Sequence, residues 1–313
     1  MNRIITATVS SLIIILAPAT VFAASPAVTP GLTISPAIEQ LNLGLNQKST
    51  SFESQITNNT KNQLVINIST TDFTATSETG GIVFLPNLTD RPHGLAQWLK
   101  PSETQIVLSP GVTRQVPIAI NPTAKLAPGG HYGAVVYKVV ASGLNAKGNQ
   151  VSNNEEVSSL VFLTTAIGGT QSVKLDKLSL SHVALKIPST ADLVLTNTGN
   201  TQIAPSGLVT IVDPSNKEIA RGIINIDSGL ILPGTSRLYT VTLRSQTRLN
   251  YPGNYHLVAV YQANGTAKAS VYIASFLLIN RPILVITVLF GLAVVTLLVR
   301  RFSSGIVYRR RQS

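Results

Sequence analysis

Cysteine is absent from this chain. That excludes a disulfide framework, a thiolate zinc site and a cysteine nucleophile. Charge is sparse as well: 12% of the 313 residues are Asp, Glu, Lys or Arg, with 13 acids against 24 bases. No two of the acids stand in a context that suggests a glycosidase pair. Four histidines, His93, His131, His182 and His256, fall in no HxH or HExxH spacing, so the usual zinc patterns are missing. GxSxG, SxxK, kinase-type and Gly-rich phosphate-loop signatures are missing too. These absences leave a non-enzyme as the expectation, with no catalytic residue, cofactor or metal. Glu155-Glu156 reads as a solvated turn, and Asp72 as an acceptor for nearby backbone rather than a calcium ligand.

What is present begins at the two ends. Arg3 precedes an apolar stretch, Ile4 to Ala17, and Val21-Phe22-Ala23 puts small residues at −3 and −1 of a cleavage position, so residues 1–23 read as a secretory signal and 24–30 as a linker. At the other end Ile283 to Val299 holds 17 residues without a charge, bracketed by Arg281 and Arg300-Arg301. A stretch of that length is at the lower limit for a membrane span. The tail 300–313 carries five arginines and no acid, which by the positive-inside rule would keep it cytoplasmic. The sequence therefore predicts a transmembrane helix over 281–299 and a single-pass cell-membrane location, with the C-terminus cytoplasmic and the rest extracellular or periplasm-like. The net charge of +11 then sits mostly at the ends, since residues 24–279 hold 17 bases and 13 acids. No basic stripe remains for a nucleic acid, which is excluded as a partner.

Between the ends the hydrophobic period is two. Leu64, Ile66 and Ile68 share one face, as do Val116, Ile118 and Ile120, and Tyr239, Val241 and Leu243. Such runs, separated by Pro, Gly and Asn clusters, read as many antiparallel strands. The pattern also repeats. ITNNTKNQL at 56–64 matches LTNTGNTQI at 195–203 at an offset of 139. LSPGVTRQVPIAI and ILPGTSRLYTVTL match at an offset of 123, which pairs Pro110, Gly111 and Arg114 with Pro233, Gly234 and Arg237, and Tyr132 with Tyr255. Pro-Gly launches an alternating strand, because Pro presets φ and Gly permits a positive value next. The first copy carries 16 extra residues in the stretch holding TDFTATSETGGIVFLPN and QWLKP. Asn264-Gly265 marks a tight hairpin, whereas the equivalent loop of the first copy, about 142–156, is long and polar. The expected fold is all-β: two tandem immunoglobulin-like β-sandwich domains, 31–169 and 170–279, plus one C-terminal transmembrane α-helix.

Few residues suggest recognition. Trp98, the single tryptophan, lies in the extra segment of the first copy. It can plug the sandwich core, or stand on the surface as a ligand-binding aromatic that stacks on a sugar ring or anchors a partner. The recurrence of Tyr132 and Tyr255 marks both as structural. The 142–156 loop is either a binding element or an inert insertion.

The order GLTISPAIEQLNL, FESQITNNTKNQLVINISTTDF, GGIVF, LSPGVTRQVPIAINPTAKLAPGGHYGAVVYKV resembles the first domain of the WxL-interacting proteins of Gram-positive bacteria. The resemblance covers roughly 31–168 in sequence and the whole chain in layout. It implies a first domain that binds cell-wall peptidoglycan or wall-attached protein and a second that serves as spacer and protein-interaction surface. The T-N-N-T and P-G-x-T-R blocks are also similar to the periplasmic pilus chaperones, soluble proteins that donate a strand to client subunits and grip a terminal carboxylate with basic residues. Here positions 31–43 hold no basic residue. The expected partners are thus the membrane and peptidoglycan or other cell-surface proteins, with a protein-only adhesion or assembly module, or a chaperone-like client binder, as the alternatives.

Overall fold

The computed structural model describes residues 31–85, 91–122, 126–142, 155–246, 251–263, 268–279 and 281–309. The signal segment, the linker, residues 143–154 of the polar loop and the Asn264-Gly265 turn lie outside them.

Residues 32–165 form ten strands: β1 (Leu32–Ser35), β2 (Ile38–Leu43), β3 (Thr50–Asn58), β4 (Leu64–Thr76), β5 (Gly81–Leu85), β6 (Leu99–Pro101), β7 (Gln105–Leu108), β8 (Thr113–Ile120), β9 (Gly130–Ser142) and β10 (Glu156–Thr165). They make one sheet in the order β1-β3-β8-β6 and a second in the order β2-β10-β9-β4-β5, with β7 also paired to β4. Alternation sends Leu64, Ile66, Ile68, Val116, Ile118, Ile120, Val135 and Tyr137 into the core between the two sheets. Nine further strands follow: β11 (Val173–Ser179), β12 (Val183–Ala184), β13 (Thr190–Asn197), β14 (Ser206–Val212), β15 (Glu218–Ile224), β16 (Ser236–Thr242), β17 (Arg244–Ser245), β18 (Gly253–Gln262) and β19 (Ser270–Leu278). Their sheets run β11-β13-β16 and β12-β19-β18-β14-β15-β17, around a core that includes Leu193, Leu195, Val209, Ile211, Val241, Leu257 and Phe276. Each fully buried Leu, Ile or Val is worth about 1.5–3 kcal/mol. Two such cores do the work that disulfides do in small secreted domains.

Both halves handle their first strand alike. β1 runs antiparallel to β3; the chain then crosses at Pro36, and β2 runs parallel to β10 in the other sheet. β11 pairs antiparallel with β13, and β12 parallel with β19. In the first half the crossing is fastened by side chains: Ser159 Oγ donates to Pro36 O at 2.7 Å, and Glu155 Oε1 accepts the Leu32 N–H at 2.8 Å. Glu155 is therefore a strand fastener rather than a solvated turn residue.

The repeated blocks meet each other in space. Asn58 is buried at the end of β3, and its amide donates to Asn62 O and Leu108 O at 2.8 and 2.9 Å. Asn197, 139 residues later, donates to Thr201 O and Ile231 O at 2.7 and 2.9 Å. In each half the same asparagine's backbone carbonyl accepts the N–H of the Pro-Gly glycine, Gly111 at 2.8 Å and Gly234 at 3.0 Å. Both glycines hold positive φ, 71° and 68°.

Tyr132 and Tyr255, matched without a gap in sequence, face opposite ways. Tyr255 points into the second core, while Tyr132 points out of the first sandwich. A one-residue slip in a period-two strand exchanges faces. Outside, Tyr132 joins Phe73, Ala134, Val136 and Phe162 around Leu232 of the second half, in a third apolar cluster that fastens the two sandwiches together. Phe73 and Phe162 lie edge-on at 5.5 Å between ring centres, a favourable aromatic geometry. Around the cluster, Gly130 N–H donates to Asn200 O at 2.8 Å, Leu238 N–H to Glu78 O at 2.8 Å, and Tyr132 Oη to Gln202 Oε1 at 3.2 Å.

Besides a 3₁₀ turn at Ala96–Trp98, the remaining element is α1 (Arg281–Arg309). Among the described residues no helix is long and apolar enough to cross a membrane. The uncharged run of α1 rises only about 25 Å at ~1.5 Å per residue, against a hydrocarbon core of about 30 Å. This corrects the single-pass cell-membrane location and the membrane anchor expected at 281–299.

Candidate functional site

Two corners of the molecule collect the residues that could carry recognition. In the first, Asp72 ends the inward part of β4, buried, and its Oδ1 accepts the N–H groups of Leu95 and Ala96, each at 2.8 Å. That anchors a 3₁₀ turn, Ala96–Trp98, against the sheet. Trp98 comes out half-buried: it packs on the first core and lies edge-on to the His131 ring, 6.1 Å between centres. His131 is buried, its Nε2 paired with Ala127 O at 2.9 Å, and burial holds its pKa below the ordinary histidine value. His93 stands 6.1 Å away, with Nδ1 against Gly130 O at 2.8 Å. The structure thus gathers Trp98, His93 and His131 into one packed corner but brings neither His182 nor His256 to it: His256 pairs with Ser275 Oγ at 2.9 Å on the second sandwich. Among the described residues no three His, Asp or Glu side chains group as metal ligands.

The second corner is built by the extra residues of the first copy. They extend β4 and return as β5, and this hairpin bends at Ser77 and Gly80, whose φ values are 55° and 78°. Its tip reaches β16, where Glu78 O takes the Leu238 N–H. Arg237 packs against Gly80, donates to Leu230 O at 3.1 Å and sits 5.8 Å over the Tyr239 ring. Tyr239 is buried, which pushes its pKa to about 12, so it stays a phenol and donates to Gly229 O at 3.1 Å. The matched arginine of the first copy, Arg114, does something else: it grips both oxygens of Glu103 at 2.7 and 2.8 Å.

Two strand edges are open beside this corner. β5 is the last strand of its sheet, and Ile82, Val83 and Phe84 in it are 38, 45 and 36% exposed. β16 is likewise the last strand of its sheet, and between it and β15 runs a groove of about 760 Å³ lined by Ile223, Ile226, Leu238, Tyr239, Thr240 and Arg244. Sequence reasoning missed both edges. The signal for the first was present in GGIVFL, an apolar run without a charge; the groove had none, since it lies between strands of two different sheets, and period-two alternation does not show which strands will face each other there.

No family model matches the chain, and no curated protein matches it. The resemblance to the WxL-interacting proteins has no support from either comparison. Among solved structures, the chain is similar to one described as the chaperone–tip adhesin complex of CFA/I fimbriae biogenesis: 16% identity, a TM-score of 0.41, covering 78% of this chain and 98% of that one. The class 5 fimbriae chaperone CfaA follows at 14% and 0.40, covering 77% and 98%. The Salmonella enterica SafA pilin complex with the SafB chaperone stands at 8% and 0.38, covering 80% and 99%. Likeness at this level assigns no activity.

Proposed function

We propose that the chain is a non-enzymatic protein-binding module of an adhesion or assembly system, its two immunoglobulin-like sandwiches, 31–169 and 170–279, joined into one scaffold. The observation that carries this reading is the β5 edge. A flat, uncharged, apolar edge strand is a template for another strand, and proteins ordinarily blunt such edges with charge, Pro or a covering element. Ile82, Val83 and Phe84 carry none of the first two, and among the described residues no strand lies on their outer side. An extended segment of a partner satisfies that edge by β-augmentation. Trp98 spends part of its ring packing on the core and on His131, which leaves less of it to stack on sugar and favours protein over wall glycan.

The test pairs two assays on the full chain. Peptides selected from a phage-displayed random library are measured against the wild type and a Val83→Lys, Phe84→Lys variant, and both proteins are sedimented with purified, protein-free peptidoglycan. The expected result is extended apolar peptides whose affinity falls at least about tenfold, ~1.4 kcal/mol, in the variant. A wild type that selects no peptide but pellets with the peptidoglycan would return the function to the cell wall.

A further inference from the structure

The groove between β15 and β16 is not used by the β5 reading, and its walls are unusual. Leu238 directs its N–H outward to Glu78 O, while Thr235 O and Leu243 N–H face the β13 side, toward Asn197 and Ser189. With a period of two, Thr240 and Thr242 therefore present their amides on the same outward edge as Leu238. The β4–β5 hairpin tip satisfies the first position of that edge and stops. At the far end the groove closes: a side chain on Gly222 would meet Thr242 O at 2.5 Å, and β17 pairs with β15 through Arg244 and Arg221. Between the two ends the groove runs beside Thr240. Leu238 and Ile223 border it, 42 and 57% exposed, together with the buried ring of Tyr239.

The charges of the slot are lopsided. Arg221 is occupied by Glu218 at 2.7 Å, and Arg237 by Leu230 O and the Tyr239 ring. Arg244 lines the closed end, and among the described residues no carboxylate pairs with it. The one acid in the lining, Asp227, also borders the neighbouring cavity beside Gly80, so it belongs to the end near the first sandwich.

We propose that this slot is a second protein-docking site, independent of the β5 edge, which takes an extended segment of a partner as an added strand on β16, with apolar side chains over Ile223 and Tyr239 and an internal acidic side chain at Arg244. Main-chain bonds to Thr240 supply the grip, and the guanidinium sets the register, because a charge-assisted pair in a half-enclosed slot discriminates far better than apolar contact.

The test uses the full chain and fluorescent peptides acetylated and amidated at their ends, so that no terminal charge contributes. Their sequence alternates Thr and Val with one central Glu, and a second peptide replaces that Glu by Gln. Anisotropy titrations should show the Glu peptide binding about tenfold or more tightly than the Gln peptide, with Arg244→Gln erasing the difference. Thr240→Pro, which removes the outward N–H at an edge position where proline is tolerated, should abolish binding of both, while Val83→Lys should leave it unchanged. Circular dichroism checks that each variant is folded; if Thr240→Pro is not, the Glu-to-Gln ratio and Arg244→Gln still decide. Equal binding of the two peptides by the wild type, no binding of either, or loss of binding in Val83→Lys would each overturn the second site.

Discussion

His131 shows how a residue can look like a ligand and act as packing. Its ring is enclosed by Trp98, His93 and the 91–96 segment, and burial lowers its pKa, against the opposing pull of the Ala127 and Gly94 backbone, with His93 adding a little in the same direction as burial. A base whose folded pKa is depressed stays neutral in the native state while the unfolded chain takes up a proton. The stability tied to it is therefore complete above its ordinary value of 6.5 and is lost as pH falls below that toward the folded pKa. Urea midpoints should decline from pH 7.5 to pH 5, and a folded His131→Phe variant should decline less. Equal slopes would show that His131 stays accessible to protons. Asp72 was readable in outline from its place at a strand end, as an acceptor for backbone rather than a cation ligand. Which N–H groups it meets was not, because Leu95 and Ala96 arrive from 23 and 24 residues away.

At the level of elements, the repeat in the sequence has a mechanical meaning. Asn58 and Asn197 each tie the end of one strand to the segment just before the Pro-Gly turn, and the turn glycine ties back to the same asparagine. Asn197→Ala leaves the Thr201 carbonyl without its side-chain donor and takes one of two donors from Ile231 O, which keeps the Ile203 N–H, so the expected loss is about 1–3 kcal/mol by urea unfolding. Asn197→Asp should cost as much, since a carboxylate cannot donate to those carbonyls; retention of stability in the Asp variant would deny the donor role. Alternation and turn residues made these strands and the Pro-Gly turns legible. The faces of β9 and β18 were not, since Tyr132 and Tyr255 align in sequence yet point to opposite sides. The extra residues of the first copy, an insertion in sequence, form a hairpin whose tip touches the other sandwich.

For the whole molecule the deciding contact is the third apolar cluster. Leu232 sits on a loop of the second sandwich and is 8% exposed among Phe73, Tyr132 and Phe162 of the first. It takes no part in either main core, so Leu232→Asp should leave both sandwiches folded while placing a carboxylate in an apolar joint, a cost of several kcal/mol unless the joint opens. Small-angle scattering should report a larger radius of gyration for that variant at unchanged strand content. An unchanged radius would mean that the hydrogen bonds at Gly130, Leu238 and Tyr132 suffice to hold the pair.

The chain's own pattern was enough to determine a mostly β fold, its two related halves, the turn asparagines' positions in the repeat and the lack of a thiol framework, because these depend on composition and on neighbours two to ten residues apart. Tertiary structure alone decided which side of β9 faces the partner sandwich, where Trp98 lodges, that β5 and β16 end their sheets, and that Arg244 stands beside an open strand edge. Those outcomes depend on sheet order and on residues more than a hundred positions apart, such as Phe73 and Leu232, and period-two alternation carries no record of which sheet will be last or what will lie against its outer face.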